Sequence, residues 1–281
     1  MRALLLCVLL SGTLATAQPL AARDTADVGP RGSWSMGVFN PLRFSPMDGV
    51  EFQTHPLTFF VAPNANVRVA LLRSSLRLTA EAGLSLPTFA LRLTKGYLFP
   101  LWATSDNDIG WMLIPRAGLL LSGDASRRGV WTVKADAAFR LALGPNSASP
   151  LNFMSTPLNL LLAAPLTGLS TRVGGAYDHA LTERLRVRGE LNLYVTGSQG
   201  RLVVSGQDVG AIAAMSPLFV TAHVGFDLAV FRHSRVTLGA MWANADQGAT
   251  KLVTGADGYS ERQRVRSNDF MPTLDFIWAG L

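Results

Sequence analysis

The chain has 281 residues, a formal net charge of +6 and one cysteine, and 48% of its residues are hydrophobic while only 16% are charged. The basic balance could suggest nucleic acid as a partner, but the arginines are scattered singly and form no nucleic-acid motif, so we expect no nucleic-acid binding. A soluble secreted protein of this size is usually less apolar, which predicts that apolar residues face something besides a compact core.

The N-terminus follows the order of a secretory signal peptide. Arg2 precedes an apolar run at residues 3–10, and the small residues 15–17 form a cleavage site. The run is too short for a transmembrane helix, which needs about 20 apolar residues. We therefore expect residues 1–17 to be removed together with Cys7, so that neither disulfides nor thiolate metal sites remain.

Alternation of apolar and polar side chains is the main signal in the rest of the chain. Between Val130 and Leu143, Trp131 and Val133 begin an apolar row while Thr132 and Lys134 begin a polar one. A long apolar row that starts with Trp is typical of a strand that faces lipid and carries an interfacial anchor. The same reasoning predicts strands near residues 65–72, 75–86, 110–122, 129–143, 169–180, 184–197, 218–231, 235–243 and 269–281.

The connections between these strands alternate between short polar turns and long loops. The long loops are predicted near residues 88–108, 144–169, 197–217 and 244–268. This asymmetry favours a membrane barrel over a soluble up-and-down barrel. Residues 33–60 are interrupted by prolines and should add one to three strands. At roughly 22 residues per strand and connection, the chain after residue 17 favours 12 strands, with 10 as the alternative.

The C-terminal segment from Phe270 to Leu281 resembles the closing strand of bacterial outer-membrane β-barrel proteins. In it Leu274, Phe276 and Trp278 alternate with Thr273, Asp275 and Ile277. The chain departs from that pattern at its last residue, which is Leu281 where the family usually has an aromatic. The resemblance implies an all-β fold, a closed antiparallel transmembrane barrel at residues 33–281 after a short leader at residues 18–32.

The same resemblance implies where the protein acts and what it meets. It implies insertion into the bacterial outer membrane by the barrel-assembly machinery. We therefore expect lipid and lipopolysaccharide as neighbours, and the sequence gives no reason to expect a cofactor. Four aromatic side chains are predicted to lie at the membrane interfaces: Trp131, Trp242, Phe276 and Trp278.

The polar rows of the strands are the candidate functional surface. If the predicted registers hold, the following side chains face the lumen: Arg77, Glu81, Arg116, Lys134, Asp136, Arg140, Arg172, Arg186, Arg188, Glu190, His223 and Asp227. Because both signs of charge are present, they predict a salt-bridge network that fills a narrow barrel. The other interpretation is a small pore whose arginines favour anions.

No constellation of residues in the sequence specifies catalysis or a metal, so we predict no catalytic residue and no metal ligand. An outer-membrane hydrolase would require His223 or His55 to meet a serine at one rim of the barrel. The pair Asp106 and Asp108 lacks the glycine and distal glutamate of a calcium loop.

Several predicted loops are unusually apolar, at residues 89–93, 97–102, 158–164 and 211–215. We expect them to fold inward as a plug, since a plug needs no ligand; a binding site for hydrophobic molecules is the alternative. The sequence thus predicts a passive pore or a structural barrel, with hydrophobic transport and hydrolysis as other possible functions. A soluble barrel that binds a hydrophobic ligand is a further alternative.

Overall fold

The computed structural model describes residues 20–60, 62–94, 108–146, 164–165, 167–197, 201–204, 207–211, 217–231, 233–254 and 258–280. The predicted signal peptide and three of the four apolar loop segments lie wholly or mostly outside the described residues. The statements below refer to the described part of the chain.

The described residues are almost entirely β-structure with two short helices. In chain order the elements are β1 (Trp34–Gly37), β2 (Leu42–Met47), β3 (Val50–Thr54), α1 (Pro56–Phe59), β4 (Asn64–Arg73), β5 (Leu76–Ser85), α2 (Thr88–Thr94), β6 (Ile109–Asp124), β7 (Gly129–Phe139), β8 (Leu141–Asn146), β9 (Leu169–Ala180), β10 (Leu185–Thr196), β11 (Arg201–Val204), β12 (Gln207–Ala211), β13 (Leu218–Phe231), β14 (Ser234–Thr254) and β15 (Ser260–Gly280).

These strands form a closed antiparallel barrel with twelve wall strands, which confirms the predicted fold and strand number. The first and last strands close the ring, from Trp34 opposite Gly280 to Gly37 opposite Ile277. Strand β8 continues β7 along the same neighbour β6 after a break at Arg140, so the two make one wall strand. Strands β11 and β12 pair only with each other, as a separate hairpin.

One end of the barrel carries only short turns, and the other carries the longer connections together with the four-residue link between β1 and β2. We call them the turn end and the loop end. Neighbouring strands at the turn end are joined by at most four residues, as between β9 and β10. Residues 33–60 supply three wall strands, β1 to β3. Their hairpin between β2 and β3 turns at Gly49, whose φ of 83° is in the region that favours glycine.

The predicted long loop at residues 244–268 is wrong. Strand β14 continues to Thr254 and β15 begins at Ser260, so the two form a long hairpin that extends beyond the neighbouring strands. The sequence there is polar and lacks the apolar row of the other strands, and for that reason alternation did not reveal it.

The barrel wall has its apolar side chains outside and its ionised side chains inside. On β10, Leu191 is 58% exposed and Leu193 42% exposed on the outer face, whereas Arg188 on the inner face is 3% exposed. Neighbouring strands repeat this order, for example Val224 outside and Asp227 inside on β13. The order is the reverse of that in a soluble protein, whose charged groups remain in water.

Helix α2, which contains the predicted apolar segment at residues 89–93, lies against β6 beyond the point where β5 ends. The Thr88 hydroxyl accepts a hydrogen bond from the Met112 backbone N–H at 2.7 Å, and Arg92 donates to the Ile109 carbonyl. Leu91 is buried, but Phe89 and Leu93 remain more than half exposed. The helix therefore covers the edge of β6 that β5 leaves unpaired, while two of its apolar side chains stay exposed.

Candidate functional site: the barrel interior

An N-terminal segment crosses the inside of the barrel near the turn end. This segment, residues 20–27, is called the strap below. It lacks regular secondary structure, and its contacts reach β13 and β4, which lie six strands apart in the ring of twelve. A chain that touches opposite walls must pass through the lumen, so the strap constricts it.

The first half of the strap is held by β10, β13 and β14. Arg186 donates to the Leu20 carbonyl at 2.9 Å, and Arg235 donates to the Ala21 carbonyl at 2.8 Å. Arg188 donates to the Arg23 carbonyl. The strap's own Arg23 forms a 2.6 Å ion pair with Asp227. Three wall arginines thus bind backbone carbonyls that would otherwise lack partners inside the barrel.

The second half of the strap is held by β4, β5 and β6. Arg68 donates to the Thr25 carbonyl, and Thr79 donates to the Ala26 carbonyl. The Ala26 N–H donates to the Ser122 hydroxyl at 2.8 Å. Thr79 and Ser122 are fully buried, so this part of the strap is packed tightly against the wall.

Asp24, at the middle of the strap, has a left-handed backbone conformation and is surrounded by cationic side chains. Its φ of 51° is the only positive value at a non-glycine position among the described residues. Its carboxylate pairs with Arg43 and lies 3.8 Å from Arg188. Burial by itself would raise the pKa of Asp24, but Arg43, Arg188 and Arg23 together lower it well below the ordinary carboxyl value.

Most of the residues predicted from the polar rows meet one another as ion pairs. A belt crosses four neighbouring strands: Glu81 lies 3.5 Å from Arg116, which lies 2.9 Å from Asp136, which in turn binds Arg172. Nearer the turn end, Glu190 pairs with both Lys134 and Arg188. Arg186 pairs with Asp178.

Three of the predicted residues lie at the margins of this network. Arg77 binds Asp124 at 2.7 Å and the strap's Asp27 at 3.3 Å, at the turn end. Arg140 lies at the break between β7 and β8 and donates to the Pro165 carbonyl. His223 lies opposite Glu190 in the β10–β13 ladder, but its Nε2 is within 2.9 Å of the Thr273 hydroxyl.

Sequence reasoning missed part of the interior: the strap itself and the wall residues Arg43, Glu51, Arg68 and Arg235. Arg68 pairs with Glu51 at 2.9 Å, and both are almost completely buried. Arg68 stands between Val67 and Val69 in an alternating segment, so the polar row of β4 could have revealed it. The strap has no periodic pattern and gives no such signal.

The predicted interface aromatics lie near the two ends of the wall. Trp131 is the third residue of β7 and stands opposite Tyr177. Trp278 is 41% exposed, and its ring centroid lies 4.5 Å from that of Phe276. Trp242 lies farther along β14, opposite Phe270.

Among the described residues, neither His223 nor His55 has a serine hydroxyl as the hydrogen-bond partner of its Nε2 atom. His223 bonds to a threonine inside the barrel, and the His55 Nε2 is 2.8 Å from the Phe39 carbonyl. In the part of the chain that the structure describes, no group of three or more His, Cys, Asp or Glu is placed to hold a metal ion. None of the described helices has the length and hydropathy needed to span a bilayer.

Among comparisons with known proteins, only the comparison of structures finds similar proteins. No protein-family model matches the chain, and no curated protein matches it. The chain is similar to the outer-membrane expressed OmpT of Vibrio cholerae, with a TM-score of 0.44 and 9% identity over 85% of this chain and 64% of that one. It is similar to in-vitro folded OmpT, an outer membrane protein of Vibrio cholerae, with a TM-score of 0.44 and 8% identity over 85% and 63%. The chain thus spans less than two thirds of either protein.

Proposed function

We propose that this protein is a β-barrel of the bacterial outer membrane that conducts small solutes through a narrow pore, and that the strap closes this pore at the turn end. The observation that carries the proposal is the reversed order of the wall, with exposed leucines and valines outside and buried ion pairs inside. Only lipid on the outside and water or polar solutes on the inside make both faces favourable.

The wall dimensions support a membrane location. The part of β14 from Ser234 to Trp242, both included, is nine residues long, which is within the 9–11 residues that a tilted strand needs to cross a bilayer. Trp278 lies opposite Ser234 at the turn end, so aromatic side chains mark both limits of this span. By the rule for outer-membrane barrels, the turn end would face the periplasm.

The exposure of side chains in the interior favours a pore that the strap closes, and not a structural barrel whose lumen is filled throughout. Between the strap and the loop end, Arg116 is 36% exposed and Arg172 is 22% exposed. Solvent therefore reaches the middle of the lumen. At the turn end, by contrast, Arg188 and Asp227 are almost fully buried where they bind the strap. Movement of the strap would open the buried part.

The test is single-channel conductance in planar bilayers, with the protein from residue 18 onward, which has no native cysteine. A double variant, Ala26→Cys with Ser122→Cys, should link the strap to β6, because the Ala26 N–H already contacts the Ser122 side chain. We expect openings in the wild type and in the reduced variant, and none in the oxidised variant. Folded barrels that are silent in all three cases would contradict the pore and favour a structural role.

A second candidate function is the binding of hydrophobic molecules at the loop end. Phe60, just after α1, is 84% exposed, and Phe89 on α2 is 56% exposed. Apolar surface of this kind outside the membrane span can receive a lipid-like ligand. A fluorescent fatty-acid analogue should then bind the folded barrel, and its binding should weaken in Phe60→Ser; no binding to the wild type would exclude this function.

A further inference from the structure

The interior of the barrel contains a place where a carboxylate is already bound, and the carboxylate belongs to the strap. Arg43 on β2 and Arg188 on β10 both contact the carboxylate of Asp24. The guanidinium groups approach from different walls, while the backbone of Asp24 bends through a left-handed conformation to reach them. Strained residues of this kind are found at ligand clamps and switch segments.

The charge balance around Asp24 depends on the strap. Arg188 has a second carboxylate partner on the wall, Glu190 at 2.7 Å. Arg43 differs, because among the described residues its only carboxylate within ion-pair distance is Asp24. When the strap leaves, the 21% exposed side chain of Arg43 loses its ion-pair partner, and the nearby Glu51 is held by Arg68 in a 2.9 Å ion pair. A partly buried guanidinium favours a replacement anion, and its planar donors fit a carboxylate in particular.

Partly exposed arginines lie between this place and the loop end. Arg172 and Arg116 lie between the strap and the loop end and remain partly exposed. A solute that enters the lumen therefore meets guanidinium groups before it meets Arg43 and Arg188. Arg116 and Arg172 both pair with Asp136, so they can attract an anion but do not form a separate binding site for it.

We propose that Arg43 and Arg188 form a binding site for small organic carboxylates, which Asp24 occupies while the strap is docked and which a solute occupies when it displaces Asp24. This inference rests on the proposed function because it requires the strap to move. The solutes of the pore would then be carboxylates, and they would compete with Asp24 of the strap for the two arginines.

The experiment measures binding of succinate to the refolded barrel in detergent by calorimetry, with chloride at equal ionic strength as the reference. Asp24→Asn removes the competing carboxylate and leaves the rest of the strap sequence unchanged. We expect this variant to bind succinate about tenfold more tightly than the wild type, as expected for the loss of a charged competitor. Adding Arg43→Gln to Asp24→Asn should abolish the gain.

The matched control is Asp124→Asn, which also removes one negative charge at the turn end but leaves the strap site intact. It should bind succinate as the wild type does. Equal affinity of the wild type and Asp24→Asn, or a gain that survives Arg43→Gln, would overturn the carboxylate site. Conductance of the same samples separates the two proposals: a barrel that binds succinate but is silent contradicts the pore alone, and a conducting barrel without binding contradicts the site alone.

Discussion

Arg23 and Asp227 are 204 residues apart in the sequence and form a 2.6 Å ion pair inside the barrel. Asp227 also lies 3.5 Å from Arg235, and its side chain is 2% exposed. One buried carboxylate therefore attracts both a cation of the strap and a cation of the wall. The pair joins the N-terminal segment to a strand near the C-terminus, so docking of the strap depends on a contact of very long range in the sequence.

Asp227→Ala should strongly destabilise the barrel. It leaves Arg23 and Arg235 without this carboxylate in a buried environment, and breaking such a pair costs about 3–5 kcal/mol. The measurement is the free energy of unfolding from guanidinium titration of the barrel in lipid vesicles. Asp124→Ala is the control, since its side chain is 57% exposed and a surface substitution changes stability by about 0.5 kcal/mol or less. Similar losses in both variants would mean that the strap is not held by Asp227.

The two faces of β7 should respond oppositely to arginine. Val133 is 47% exposed on the outer face, and Lys134 is 7% exposed on the inner face beside Glu190. An arginine at position 133 would face lipid near the middle of the membrane and should cost about 2–4 kcal/mol. Lys134→Arg keeps the charge and should be mild. The same unfolding titration compares them, and equal tolerance would show that the outer face of the wall does not meet lipid.

Alternation of apolar and polar residues predicted the wall strands of the barrel, because a strand period of two assigns every residue of a regular strand to one face. It puts Val133 and Lys134 on opposite faces of β7, and their side chains differ in exposure accordingly. It could not assign Arg43 or Glu51, because the prolines at residues 41, 46 and 56 interrupt the pattern there. The strap escaped because its partners lie on walls that are distant in the sequence, and a local pattern carries no record of such contacts.

The seam between the first and last strands should depend on Asp275. This 6% exposed carboxylate accepts hydrogen bonds from the backbone N–H groups of Val38, Phe39 and Asn40 at 2.8, 3.1 and 2.9 Å. Asp275→Ala would remove this acceptor from the Phe39 and Asn40 N–H groups and leave the Val38 N–H with only the Phe276 carbonyl, 3.3 Å away, next to a seam of only four residue pairs. We expect faster proteolysis at residues 38–41 of the folded barrel, whereas Asp269→Ala should leave the cleavage rate unchanged. An unchanged rate in Asp275→Ala would contradict this role.

Gly225 is needed because the ring of His223 lies over it. A Cβ at position 225 would come within 2.8 Å of the His223 Cε1 atom and 3.1 Å of the Leu238 carbonyl oxygen. Gly225→Ala should therefore destabilise the barrel by about 1–3 kcal/mol, the usual cost of overpacking. Most of this loss should disappear in the background His223→Ala, which removes the ring. A double-mutant cycle in unfolding free energy measures the coupling, and additive losses would show that the ring is not the obstacle.

The closed state should be insensitive to pH until strongly acidic conditions. Docking of the strap binds the ionised form of Asp24, whose pKa is lowered well below its ordinary value of about 3.9. For a group with a lowered pKa, the stabilisation is complete above the ordinary pKa and is lost as the pH falls through the lowered one. The open probability in planar bilayers should thus stay constant from about pH 7 to pH 4.5 and rise only well below pH 4. Asp24→Asn has no carboxylate to titrate, so its open probability should be high and lack this acidic rise; a wild-type midpoint near pH 6 would assign the gate to another group.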